Sequence, residues 1–286
     1  MDVPPTVSLI CTVRDEADNI AALLDSMLAQ SRPADEIVVN DCQSRDSTPA
    51  IVEGYIAAGR PIRLVRGGHN IPSGRNNAIR HARGDLIACT DAGLTLDRHW
   101  LERIVAPLEQ GHADVVGGFF QPAPRNLFEL TLAATNYRDS AEIDPERFLP
   151  FGQSVAFRKS AWEHVGGYPE WASHCEDVLF DQALQRAGYR FAFVPDALVL
   201  FRPRESLGAF ARQYFLYARG DGVANLWPLR HAIRYSTYLA GGLLVGVAVR
   251  RRRPALLLGL VPGILGYTRA PLRRLRTRAP DLALPA

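Results

Sequence analysis

The sequence predicts an α/β fold, with a doubly wound, mainly parallel sheet flanked by helices and a C-terminal pair of apolar helices. Three observations carry this. Short, β-branched apolar runs alternate with segments of helical period through residue 108, joined by short links. The 286 residues are 47% hydrophobic and 22% charged, enough apolar material for a sizeable core. Charge is segregated: Arg230 onward holds eleven arginines and one aspartate, so a chain of net charge +3 has a body acidic by seven charges. Such a body excludes a general nucleic-acid binder, whose basic footprint should lie on the folded domain.

The elements follow in order. Val7 to Val13 is a continuous apolar run and reads as a buried strand. From Ala17 to Gln30, apolar Ile20, Leu23, Leu24, Met27 and Leu28 recur with helical period. Glu36 to Asn40 is the next strand, and Ser47-Thr48-Pro49 opens a helix with proline in its first turn. Pro61 to Val65 reads as a strand, Gly67-Gly68 as a turn, Ser73 to Ala82 as a helix, Asp85 to Thr90 as a strand and His99 to Leu108 as a helix. Beyond Gly118 the alternation loosens. Helices are expected over Leu127–Asn136, from Cys175 and over Leu207–Ala218, with strands over Gln153–Phe157, Arg190–Val194 and Ala197–Phe201.

In a sheet of this kind ligands sit beyond the carboxyl ends of the strands. The residues there are Thr12, Arg14 and Glu16, then Asp41, then Asp91. Three carboxylates thus share one rim. No Walker-type loop occurs, and no GxGxxG follows the first strand, which argues against a P-loop enzyme or a Rossmann dehydrogenase. The four cysteines show no CxxC spacing, and a reducing compartment is expected. The N-terminus has no cationic segment before its first apolar run, so no secretory signal is expected.

Several motifs, in order, then resemble glycosyltransferase family 2, the inverting nucleotide-sugar transferases with the GT-A fold. Val7 to Glu16 resembles the opening strand that ends in Asn-Glu. Asp41-Cys-Gln-Ser-Arg-Asp-Ser-Thr48 resembles the Asp-Asp/Gly-Gly-Ser-x-Asp-x-Thr segment, and Gly74 to Ala78 the Arg-Asn turn. Thr90-Asp-Ala-Gly93 lies where Asp-x-Asp belongs. Val165-Gly-Gly-Tyr168, Glu176-Asp177, Ala187-Gly-Tyr189 and Val194-Pro-Asp-Ala197 complete a match running from Val7 to Gly222.

The resemblance implies that Thr12, Arg14, Glu16 and Asp41 hold the base and ribose of the donor. Arg75 touches the nucleotide or else caps its helix. Asp91 faces the diphosphate through Mg²⁺ or Mn²⁺, and Asp177 is the general base. Two positions depart from the pattern. Cys42 and Gln43 replace Asp/Gly and Gly, and Gly93 replaces the second aspartate of Asp-x-Asp, leaving Asp91 as that motif's lone metal ligand. Plainer roles exist for the same residues: Asp41 and Asp91 as helix N-caps, Glu176-Asp177 as acids complementing a helix dipole.

Ser236–Val249 and Pro254–Tyr267 are apolar stretches separated by Arg250 to Arg253. As helices of about 1.5 Å per residue they fall short of a ~30 Å hydrocarbon core. A two-span hairpin would also carry four arginines outward, against the positive-inside rule. Re-entrant or interfacial helices, with arginines on anionic headgroups, keep every arginine on the cytoplasmic side.

The sequence therefore predicts a glycosyltransferase domain over residues 1–229 and a membrane-associating tail over 230–286. The expected reaction moves a sugar from a nucleotide-diphosphate donor, UDP favoured by family analogy, to a hydroxyl of a lipid-linked or cell-surface glycan, with inversion. Alternatives are a polyprenyl-phosphate sugar synthase and a catalytically degenerate nucleotide- or glycan-binding protein. A sugar-nucleotide pyrophosphorylase would need a glycine-rich loop after the first strand, and Thr12 to Glu16 contains no glycine.

Overall fold

A computed structural model describes residues 4–279. They form two compact units, residues 4–123 with 139–202 and residues 124–138 with 203–279. This division is not the one drawn at residue 229 on composition, because helices at 127–136 and 207–223 fall in the second unit.

The chain runs β1 (Val7–Val13), α1 (Ile20–Leu28), β2 (Glu36–Asp41), α2 (Thr48–Ala57), β3 (Ile62–Arg66), α3 (Ile71–His81), β4 (Leu86–Asp91), β5 (Leu94–Leu96) and α4 (Trp100–Glu109). It continues with β6 (Val115–Pro122), α5 (Leu127–Asn136), β7 (Ser154–Arg158), α6 (Lys159–Val165), α7 (Glu176–Arg186) and β8 (Phe191–Phe201). Helices α8 (Leu207–Val223), α9 (Pro228–Arg250) and α10 (Val261–Arg278) follow, the last preceded by a 3-10 turn over Pro254–Leu260.

The first unit holds one eight-stranded sheet of order β3-β2-β1-β4-β7-β6-β8-β5. Its first four strands are parallel, β7 is antiparallel to both its neighbours, β6 and β8 are parallel, and β5 closes the edge antiparallel to β8. The sheet is thus mixed rather than uniformly parallel. Every residue of β1 is buried, as a strand covered on both faces should be. Leu9, Cys11 and Val13 join the core on one face with Ile20, Leu23, Leu24 and Met27 of α1, while Ile10 joins the other with Ala78 and Ile79 of α3. Helix α3 begins with a capping box: Ser73 N–H donates to Asn70 Oδ1 at 3.0 Å, and Asn70 N–H to Ser73 Oγ at 3.2 Å.

Two details differ from the sequence reading. The runs 190–194 and 197–201 form the single strand β8, whose pairing with β6 shifts register between Gly117 and Phe119. Pro195 falls in that irregularity, where the ladder needs no N–H. Strand β5, three residues long, was not anticipated, because alternation over so short a run is no signal.

In the second unit, α10 packs against α5, and Arg274 Nη1 donates to Ala134 O at 3.2 Å. Helix α9 lies against the 3-10 turn through glycines, Gly241 facing Leu260 and Gly259 facing Leu244. Helix α8 buries no residue and α9 only Ala248. The length argument from sequence is overturned. The apolar windows are extended by their flanks into helical segments of 23 and 25 residues, Pro228–Arg250 and Pro254–Arg278. Both are long and apolar enough to cross a membrane.

Candidate active site

Register places the first candidates side by side. Thr12 is paired with Asn40 on one side and Asp91 on the other, and Val13 with Asp41, so the ends of β2, β1 and β4 make one rim. Asp41 is buried, and its Oδ1 accepts from Ser44 N–H at 3.2 Å. Thr12 is buried too, with Oγ1 3.3 Å from Asn40 Nδ2 and 3.2 Å from Cys42 Sγ. Arg14 stands half-exposed, 3.8 Å from Asp15. Glu16 N–H donates to Thr48 Oγ1 at 2.8 Å, and its carboxylate accepts from Asn19 Nδ2 at 3.0 Å. Asp15, at φ 54°, and Asp46 knit the loops after β1 and β2 together, accepting from Arg45 N–H at 2.7 Å and Ala17 N–H at 3.0 Å.

Cys42, one of the two departures, is explained by its neighbour. A Cβ on Gly74 would lie 2.2 Å from Thr12 Oγ1 and 2.5 Å from Cys42 Sγ, so the glycine makes room for the thiol at the floor of the rim. Gly74→Ala is expected to lower stability by about 1–3 kcal/mol through overpacking, read as a lower urea midpoint with unchanged slope. An unchanged midpoint would show that the floor yields freely. Gly93, the other departure, has φ +75° in the turn between β4 and β5, a left-handed conformation that glycine adopts without cost.

Arg75 does not stand open at the rim. It is 2% exposed and binds two acids: Nη2 to Asp91 Oδ1 at 2.6 Å and Nη1 to Glu176 Oε1 at 2.8 Å. Its guanidinium carbon lies 5.5 Å from the centre of the Tyr168 ring. Burial works against its charge, but Asp91 and Glu176 outweigh that and hold it protonated. The sequence alone did not indicate this bridge between two acids. The adjacent Asn76 is buried as well, donating to Tyr168 O at 2.8 Å and accepting from Tyr168 N–H at 2.9 Å.

Asp177 follows Glu176 in the first turn of α7, where the helix dipole favours an anion. It is half-buried, and Gly152 N–H donates to its Oδ2 at 3.3 Å. Gly152 lies between the two acids' partners: a Cβ there would meet Arg75 Nη1 at 2.4 Å. Burial pushes the Glu176 carboxyl up to about 7, with Arg75 opposing and Asp177 adding to the shift. Cys11 and Cys89 are fully buried on adjacent strands, and burial raises both thiols far out of the reactive range.

No group of three or more His, Cys, Asp or Glu able to hold a metal occurs among the described residues. Asp91 nevertheless fits a hard cation shared with phosphate. Its side chain is 33% exposed, and Arg75 takes only Oδ1. Mg²⁺ and Mn²⁺ at phosphates often need only one or two protein carboxylates, the rest being water and phosphate oxygen.

Gly152, Tyr168 as a ring beside Arg75, and buried Asp181 were missed as site residues by the sequence reading. A glycine's missing side chain and a buried acid carry no local signal of what they face.

Comparison with known proteins agrees with this architecture. The family model for glycosyl transferase family 2 matches residues 8–166. Glycosyltransferase AglE of Haloferax volcanii is 28% identical over 250 residues, covering 85% of this chain and 81% of its own. Succinoglycan biosynthesis protein ExoA of Rhizobium meliloti is 27% identical over 220 residues, covering 72% and 66%. Among solved structures, a mannosyltransferase from Pyrobaculum calidifontis in complex with GDP-Man and Mn²⁺ superposes with a TM-score of 0.57 at 22% identity, covering 90% and 86%. With more than half its length matched, this chain belongs to glycosyl transferase family 2 and is a glycosyltransferase with a GT-A-like fold.

Proposed function

We propose that the protein transfers a sugar, with inversion, from a nucleotide-diphosphate sugar to an acceptor hydroxyl on a lipid-linked or cell-surface glycan. The observation that carries this is Arg75, which joins Asp91 at the end of β4 to Glu176, the residue next to Asp177. One guanidinium thereby ties the acid proposed to meet a diphosphate to the residue adjoining the acid proposed to take a proton.

Each residue then has a task in a single displacement. Thr12, Arg14, Glu16 and Asp41 bind the nucleoside and orient the donor. Asp91 would hold Mg²⁺ or Mn²⁺, which when bound offsets the charge gained by the leaving diphosphate. Asp177 accepts the acceptor's proton as its oxygen bonds to the anomeric carbon and the bond to diphosphate breaks. Arg75 is a positioning residue, setting Asp91 and, through Glu176, the first turn of α7. A single base and no nucleophile at the site support inversion. The homologue in succinoglycan synthesis supports a glycan acceptor. The two long apolar helices support anchoring, and lying in the interface or re-entrant rather than spanning, they would keep the arginines between them on the cytoplasmic side with the body.

A thermal-shift panel with UDP, GDP, CDP and dTDP, each with Mn²⁺, Mg²⁺ or EDTA, tests the reading. One nucleotide at 100 times its dissociation constant should stabilise by about 2.7 kcal/mol, and only with metal. Stabilisation in EDTA would remove the metal from the proposal. No stabilisation by any nucleotide would overturn the donor class, and binding without consumption of any donor would favour a degenerate binding protein.

A further inference from the structure

Asp181 has no place in the reaction described above, yet it lies one helical turn beyond Asp177 on α7. It is 2% exposed, and its Oδ2 has no hydrogen-bond partner among the described residues. Native proteins retain few such atoms, and each asks for a reason. The groups that face it are Asp177 from its own helix, Arg75 from α3 and Tyr168 from the segment before α7. Of the charged groups on helix α6, also packed on α7, Lys159 donates to Ala82 O, His164 pairs with Tyr189 and Glu163 is exposed.

With Asp91 and Glu176, the cluster contains four carboxyls and one guanidinium. Burial of part of the cluster disfavours four anions against one cation. Environment decides the distribution of protons. Asp177 is half-open, accepts the Gly152 N–H and sits in the first turn of α7. Asp181 sits a turn deeper, between the buried Phe180 and Leu184, with no donor for one oxygen. Burial, and then the charge of Asp177, hold its carboxyl well above the usual carboxylate range, with Arg75 opposing.

We propose that Asp181 is a positioning residue for Asp177 that works as the uncharged acid. While it keeps its proton, no second charge stands one helical turn from Asp177. When it ionises, a second anion enters the cleft beside a leaving group that is gaining negative charge, and turnover falls. The kinetic half of this rests on the glycosyl-transfer reading; the charge state does not.

Two measurements on the full chain separate them. An unfolded aspartate loses its proton near pH 4, whereas folded Asp181 keeps it, so between those two pKa values the native state binds more protons and stability declines as pH rises. Asp181→Asn lacks this decline. Its melting temperature should gain on the wild type by several degrees between about pH 4 and about pH 8, and a constant gap would overturn the charge state. For turnover, Asp181→Asn should lack the loss of kcat that ionisation of Asp181 brings to the wild type as pH rises, so the ratio of its kcat to that of the wild type should climb at least ~3-fold toward alkaline pH. A merely structural role would lower kcat alike at every pH and leave the profiles superimposable, which would overturn the positioning role. Asp181→Leu, which also cannot titrate, should flatten the stability profile in the same way if the asparagine variant fails to fold. Loss of all nucleotide stabilisation would count against the donor reading while leaving the stability comparison decisive for Asp181.

Discussion

Asp177→Asn is expected to lower kcat with a hydroxyl acceptor by about 10²–10⁴-fold, the usual contribution of a general base. Asparagine keeps the size of the side chain and can still meet the Gly152 N–H through its carbonyl oxygen, 3.3 Å away in the native carboxylate. It cannot take a proton. The donor KM and the nucleotide thermal shift should therefore stay near wild type, since the proposed nucleoside contacts lie at the ends of β1 and β2, not on α7. Wild-type turnover with a hydroxyl acceptor would remove Asp177 as the base. Retained turnover only with a polyprenyl phosphate would identify the acceptor as a phosphate oxygen, which needs no strong base.

Arg75→Met should produce the largest loss of stability of any single change in the site. The substitution leaves Asp91 and the buried Glu176 without their shared cation at 2.6 and 2.8 Å. Breaking a buried pair from one side typically costs about 3–5 kcal/mol, because the remaining charge is left desolvated. At the usual scaling this is a melting-temperature drop on the order of 10 °C. Arg75→Lys should not rescue it, since an ammonium cannot reproduce two hydrogen bonds from a planar fork. Adding Glu176→Gln should recover part of the loss, as residues in one network are not additive. A melting temperature equal to wild type would mean that the bridge contributes nothing to the fold. Activity should fall as well, because Asp91 loses the partner that orients it, and this loss should persist where the protein remains fully folded.

The parallel half of the sheet was legible because its strands announce themselves. β1, β2 and β4 are short apolar runs, buried along almost their whole length, and each is followed by a chemically distinctive residue. Their carboxyl-terminal residues therefore fell on one rim by topology alone. The antiparallel half was less legible. β7 inserts between β4 and β6 from far along the chain, and no local pattern specifies which strand it will pair with. The tail's helices are longer than their apolar windows. Helices continue through flanking Arg, Tyr and Thr, whose propensity permits it and whose long side chains can reach toward polar surroundings.

What the sequence determined by itself was the class of protein, the order of its motifs and the candidate acids Asp41, Asp91 and Asp177. Those properties reside in local pattern and in residue type, which survive without coordinates. Only the tertiary structure decided that Arg75 is buried between Asp91 and Glu176, that Gly74 yields its space to Cys42, that Gly152 lies against Arg75 and Asp177, and that Asp181 is shut beneath the site. Arg75 and Glu176 are 101 residues apart in the chain. A contact over that distance, and the desolvation that gives it its strength, exist only once the sheet has brought α3 and α7 together, because burial and Coulomb energy depend on position in space and not on position in sequence.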